Sequence, residues 1–90
     1  MITVQYYGSI RAAAGKNEEA LAYSPTNVFQ FLEALAASYG GDFRGELLEG
    51  GRLRDDVAVS LNGKLIRDAN EILLRDGDSM ALFPMLLGGG

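Results

Sequence analysis

The sequence predicts an α+β domain, one mixed β-sheet with a single main helix packed across one face. Period-two alternation of apolar residues appears near the start of the chain, in residues 2–7, and again in 57–61 and 79–83. One long stretch, Val28 to Tyr39, carries a helical period instead. Turn dipeptides with glycine, Asn62-Gly63 and Asp76-Gly77, punctuate the alternating segments.

The opening strand sets Ile2, Val4 and Tyr6 on one face and Thr3, Gln5 and Tyr7 on the other, and Gly8-Ser9 breaks it. Ile10 to Gly15, with Ala12-Ala13-Ala14 inside it, reads as a loop or a short helical turn. Residues 17–23 alternate Ala20 and Ala22 against Leu21 and Tyr23 and give a second strand, although Ala and Glu are weak strand formers. The chain would thus open as a hairpin with a long connection. Ser24-Pro25-Thr26-Asn27 signals a helix start: Ser24 caps with Pro25 at the first helical position, or Thr26 is itself the cap.

Val28, Phe31, Leu32, Leu35, Ala36 and Tyr39 then form one stripe, which reads as core rather than as a cofactor site. Gly40-Gly41 ends the helix, since glycine readily takes the left-handed conformation beyond a helix C-terminus. Asp42 to Arg54 reads as irregular, pinned to the core by Phe43, Leu47 and Leu48, with a turn at Glu49-Gly50-Gly51-Arg52. In 57–61, Val57, Val59 and Leu61 oppose Ala58 and Ser60. Asn62-Gly63, both at positive φ, returns the chain into Leu65-Ile66. A turn at Arg75-Asp76-Gly77-Asp78 leads into the last strand, where Met80 and Leu82 oppose Ala81 and Phe83. The first and last strands should lie side by side.

Composition narrows the chemistry. Ninety residues make one domain with one modest core. With no Cys there is no thiol nucleophile, disulfide or thiolate metal site, and with no His the commonest general base and metal ligand are missing. No metal site is expected. The pairs Asp55-Asp56 and Asp76/Asp78 suit solvated turns better than acid–base or Mg²⁺ chemistry. A net charge of −4 repels phosphate backbones, so nucleic acid is not an expected partner; a basic groove on a protein is a better match, though the charge also serves plain solubility. No apolar run approaches the roughly 20 residues of a membrane span, and Met1-Ile2-Thr3-Val4 lacks the features of a signal peptide, so a cytoplasmic protein is expected.

The ending holds the only chemically distinctive group. Gly88-Gly89-Gly90 follows the apolar run Leu82-Phe83-Pro84-Met85-Leu86-Leu87. A glycine run is thin enough to thread a narrow channel, and it presents an α-carboxylate at its tip. That group is ionised at neutral pH and a poor electrophile, so it must be activated, for example as an acyl-adenylate, before a nucleophile can take it. A frayed end would have the same composition. The consecutive large apolar residues Met85, Leu86 and Leu87 argue against that alternative.

Taken in order, four stretches resemble the MoaD/ThiS family of β-grasp, ubiquitin-like sulfur carriers, in particular the small subunit of molybdopterin synthase. They are Val4-Gln5-Tyr6-Tyr7-Gly8-Ser9-Ile10-Arg11, with a Gly-x-x-Arg turn; Thr26 to Leu32 followed by Tyr39-Gly40; Val57 to Gly63, with the Asn-Gly hairpin; and Asp76-Gly77-Asp78 followed by Leu82-Phe83-Pro84 and the terminal glycines. The extra segment Asp42 to Arg54 suits the molybdopterin-synthase type better than the generally shorter thiamin carriers. Two departures stand out: Phe83-Pro84 replaces the family's Pro-Pro, and the tail has three glycines instead of two.

The resemblance implies a β-grasp domain over residues 1–87 and a flexible tail at 88–90. It further implies that a ubiquitin-activating-type enzyme uses ATP to adenylate the Gly90 carboxylate, next to Gly89, and that a sulfur donor protein then converts it to a thiocarboxylate. The sulfur would be delivered to a partner such as the molybdopterin synthase large subunit. If Gly88-Gly89 were the functional pair, Gly90 would first be trimmed. Phe83, Pro84, Met85, Leu86, Leu87 and Gly88 are the expected partner contacts, with Phe83 equally suited to the core. Arg11 could contact a partner, but is better accounted for as a surface residue that helps hold a turn. A modifier joined to lysines through the same glycine, a carrier for thiamin, amino-acid or tRNA thiolation, and a plain interaction domain are the alternatives.

Overall fold

The computed structural model describes residues 1–85. Along the chain lie β1 (Ile2–Tyr6), α1 (Gly8–Ala14), β2 (Glu18–Leu21), α2 (Val28–Tyr39), α3 (Gly41–Leu47), β3 (Leu48–Glu49), β4 (Arg52–Leu53), β5 (Val57–Leu61), β6 (Lys64–Ile66), a 3-10 turn (Ala69–Glu71) and β7 (Ser79–Pro84). The main sheet has the order β2-β1-β7-β5-β6, and β3 and β4 make a separate small hairpin. The first and last strands do lie side by side: β1 runs parallel to β7, with Val4 opposite Met80 and Tyr6 opposite Leu82. The other pairings of the main sheet are antiparallel. This mixed sheet with helices is a β-grasp fold.

Strand alternation decides what is buried. Ile2, Val4 and Tyr6 of β1, Val59 of β5, and Met80 and Leu82 of β7 are all at most 3% exposed. They share one cluster with Val28, Leu32, Leu35 and Ala36 from the stripe of α2. Full burial of such a side chain is worth about 1.5–3 kcal/mol. The Asn62-Gly63 turn has the expected positive φ values, +51° and +86°. Asn62 also reaches across to the start of β7: its Oδ1 accepts from the Ser79 N–H at 2.9 Å and its Nδ2 donates to Asp78 at 2.9 Å.

Three sequence expectations are settled or corrected by the structure. Of the two alternatives for residues 10–15 the helical one holds, and α1 begins already at Gly8; its Ile10 and Ala14, four apart, both enter the core. Arg11 therefore sits in a helix, not in a turn. The cap of α2 is neither Ser24 nor Thr26 but Asn27, whose side chain accepts from the Gln30 N–H at 2.7 Å. A bridge between Asn27 and Leu73 and the Leu74 N–H bond to the Thr26 carbonyl keep the chain extended up to that point, so the first helical residue is Val28.

Asp42 to Arg54, finally, is not irregular. Gly40, at φ +94°, closes α2 through its N–H to Ala36, and its own carbonyl accepts from Arg44 as α3 begins. Phe43 and Leu47 are buried by α3 and Leu48 by β3, as their spacing requires, and the Gly50-Gly51 turn joins β3 to β4.

Helix α2 is tied to the edge strand β2 by a polar contact. Tyr6 donates its hydroxyl to Glu19 Oε2 at 2.5 Å, and Tyr39 donates to the same oxygen. Tyr39 stacks on Phe43, with ring centroids 4.4 Å apart, while Lys16 Nζ lies 5.8 Å from the centre of the Tyr39 ring and pairs with Glu19. Partial burial acts to raise the Glu19 pKa, but the hydrogen bonds from Tyr39 and Tyr6 and the charge of Lys16 outweigh it and hold the carboxyl below its usual range. Burial, then the bond to Glu19, pushes the Tyr6 hydroxyl far above its ordinary value.

A depressed carboxylate stabilises the fold above its unfolded pKa of about 4.3, and that contribution is lost as pH falls through the folded value. The raised tyrosine contributes below about pH 10 and its share is lost as pH rises beyond that. Glu19→Ala leaves a buried tyrosine hydroxyl without its acceptor and should cost about 2 kcal/mol in thermal or urea unfolding at pH 7. The mutant's stability should also vary less with pH on the acid side; an unchanged acid limb would contradict this account.

Candidate functional site

The same alternation that fills the core sends a second set of side chains to the opposite face of the sheet. Gln5 of β1, Ala81 of β7, Ser60 of β5 and Leu65 of β6 are register partners in one row across four strands. Phe83 and Ala58 pair in the next row. Phe83 is half-buried, and its ring meets Tyr7 edge to face at 6.2 Å and 87°. Tyr7, Ser60, Gly63, Leu65, Ala81 and Phe83 line a shallow depression of about 480 Å³. Leu65 is 65% exposed and Tyr7 47%. Contiguous exposed apolar groups of this kind are a frequent feature of protein contact surfaces.

Leu65 also borders a second groove, of about 640 Å³, which includes Val57, Ile66, Arg67 and Met85. The apolar surface is thus continuous from the middle of the sheet to Met85, the last described residue. Met85 is 40% exposed, and its N–H donates to the Asp56 carbonyl at 2.8 Å. Asp56 is itself held by Arg54, whose Nε and an Nη lie 2.9 and 3.1 Å from the two carboxylate oxygens. The Arg54 hydrogen bond lowers the Asp56 pKa.

The predicted contact residues are therefore brought together in part. Phe83, Pro84 and Met85 sit at the end of the central strand β7 or just past it, next to the exposed face. Phe83 belongs to that outer face and not to the core. Leu86, Leu87, Gly88, Gly89 and Gly90 lie outside the described residues. Tyr7 and Leu65 were not singled out from the sequence, although outward alternation placed Tyr7 on that face and the Asn-Gly hairpin placed Leu65 directly after the turn.

The carboxylate pairs have structural work. Asp78 accepts from the Asn62 side chain and from the Arg75 N–H, which together lower its pKa, and Asp56 is bound to Arg54. Among the described residues there is no group of three or more Asp, Glu, His or Cys able to hold a metal ion. No helix among them is long and apolar enough to cross a membrane. What the described residues present is an exposed, largely apolar face that reaches Met85.

Sheet order, the helix across one face and the exposed apolar surface define a ubiquitin-like β-grasp protein. A model described as the ThiS family matches residues 4–89, and the chain belongs to that family. It is thus of the small sulfur-carrier or modifier type. The HVO 2177 protein of Haloferax volcanii is similar in structure, with a TM-score of 0.82 and 26% identity over 98% of this chain and 85% of that one. The small archaeal modifier protein 1 of Methanosarcina acetivorans gives 0.82 and 27% over 98% and 95%. A chain of the BexX/CysO complex of Amycolatopsis orientalis shares the fold, with 0.76 and 20% over 99% and 100%. No match was found among curated proteins.

Exposed and buried positions of the sheet region should respond oppositely to charge. Met85→Asp and Leu65→Asp are expected to leave the thermal transition cooperative and stability within about 0.5 kcal/mol of wild type. Leu82→Asp, which buries an unpaired carboxylate in the core, should abolish that transition. Circular dichroism melts would check both, and unfolding of the Met85 variant would show that Met85 is needed by the fold.

Proposed function

We propose that the protein is a sulfur carrier whose C-terminal Gly90 is converted to a thiocarboxylate. What supports this reading is the family match, which runs through the apolar end of the chain into the glycines, to residue 89. A ubiquitin-activating-type enzyme docks on the face around Tyr7, Phe83, Leu65 and Met85 and brings the Gly90 carboxylate, with Gly89 beside it, to the α-phosphorus of ATP. Pyrophosphate leaves and an acyl-adenylate forms. The persulfide of a sulfur donor protein attacks the acyl carbon and expels AMP, and a second thiol of the partner then attacks the donor's inner sulfur, forming a disulfide with it and releasing the thiocarboxylate. This chain has no Cys and no His, so nucleophile, base and any metal come from the partners. Its own part is to dock, to present the carboxyl and to carry the sulfur.

The acceptor is proposed to be a pterin, with the molybdopterin synthase large subunit as the receiving partner. The length of the chain and its α3 to β4 insertion favour that type over the shorter thiamin carriers. A second reading, attachment to lysines of other proteins through the same activated glycine, is favoured by the likeness to the Methanosarcina acetivorans modifier. Both readings begin with the same adenylation.

Intact-mass analysis of the protein from its own cells separates them. A population heavier by the difference between sulfur and oxygen, located at Gly90, is expected, and Met85→Asp should reduce it. The same shift at Gly89 would mean that Gly90 is removed first. Isopeptide conjugates lost on deleting Gly89 and Gly90, with no thiocarboxylate, would favour the modifier. The unmodified mass alone, in cells making the cofactor, would count against the carrier, and the further absence of conjugates would leave a plain interaction domain.

A further inference from the structure

Gly8 stands where β1 turns into α1, and its φ of +57° is a conformation that side chains rarely adopt. More telling is what lies above it. A Cβ built on Gly8 would fall 2.7 Å from Pro84 Cγ and 3.0 Å from Pro84 Cδ. None of the other described glycines has a neighbour within 4 Å of such a Cβ. The pyrrolidine ring of Pro84 is stiff and sets its own φ near −65°, so it cannot swing aside as a long flexible side chain would.

Two hydrogen bonds frame this contact. On the Gly8 side, the Tyr7 N–H donates to the Leu82 carbonyl at 3.1 Å. On the far side, the Met85 N–H donates to the Asp56 carbonyl at 2.8 Å, with Asp56 fixed by Arg54. Leu82, Pro84 and Met85 are consequently gripped from both flanks at the point where the chain leaves the sheet.

We propose that Gly8 is a positioning residue: by leaving room for the Pro84 ring it fixes the direction in which the chain leaves the sheet at Met85, and so presents the C-terminal glycine for loading. The seat itself stands on the contacts above; its role in loading rests on the sulfur-carrier reading. A side chain at position 8 displaces Pro84, breaks the Met85–Asp56 bond and misdirects the segment without dismantling the core.

Gly8→Ala tests this, with Gly15→Ala as the control, because Gly15 is also at positive φ, +77°, but has nothing within 4 Å of a Cβ. The first readout is amide hydrogen exchange by NMR on the full chain. In Gly8→Ala the Met85 amide should exchange about tenfold faster than in Gly15→Ala, the size of effect that ordinary overpacking strain gives. Amides of β1 and β5 should match between the two. Gly8→Ala combined with Pro84→Ala removes the clashing Cγ and Cδ atoms and should restore the Met85 protection.

The second readout is the thiocarboxylate fraction of each variant in its own cells, expected to fall in Gly8→Ala and not in Gly15→Ala. Equal Met85 exchange in the two single variants, or no rescue in the double variant, overturns the seat. Altered exchange with an unchanged thiocarboxylate fraction overturns its role in loading. If the wild-type chain carries no thiocarboxylate, the carrier reading and the loading role fall together, while the exchange data still decide the seat.

Discussion

The parallel pairing of β1 with β7 is the constraint on which the rest depends. These two strands come from opposite ends of the described chain, so their contact closes a loop of most of the domain, an entropic cost that local contacts alone would not offset. The residues that meet there are among the most buried: Val4 against Met80, Tyr6 against Leu82. Every other element is placed by this pair. β2 adds to one side and β5 with β6 to the other, and α2 lies over the buried face they share.

Much of this was legible in the sequence because it is written in periods. Alternation at Ile2–Tyr6, Val57–Leu61 and Ser79–Phe83 told which side chains go inward, and the Val28–Tyr39 stripe told which helix covers them. The misses occurred where tertiary contacts override a local signal. Ser24 and Thr26 are good caps in isolation, but the bridge to Leu73 keeps the chain extended one residue further, so Asn27 takes the role. A Gly-Gly pair normally ends helical structure, yet Gly40 ends one helix and its carbonyl starts the next. For the site, the sequence pointed to Phe83, Pro84 and Met85. It could not show that Tyr7 and Leu65, 58 positions apart by their numbering, border the same depression, because that depends on strand order.

The sheet divides labour between its faces. The inner face supplies stability, and the polar clamp at Tyr6, Tyr39 and Glu19 fastens an edge strand to the helical layer. The outer face contributes little to the core and remains available. Small residues at Ala58, Ser60 and Ala81 keep it shallow, while Phe83, Tyr7 and Leu65 give it apolar area. The family to which it belongs is one of carriers and modifiers, for which being held correctly matters more than reacting.

The position of β7 has a mechanical consequence. A pull on the segment beyond Met85 acts along a central strand that is hydrogen-bonded to β1 on one side and to β5 on the other. Force applied in that direction loads both ladders in shear, so their bonds must fail together rather than unzip one at a time. The domain is therefore built to resist a pull on this end better than a pull that peels an edge strand such as β2 or β6.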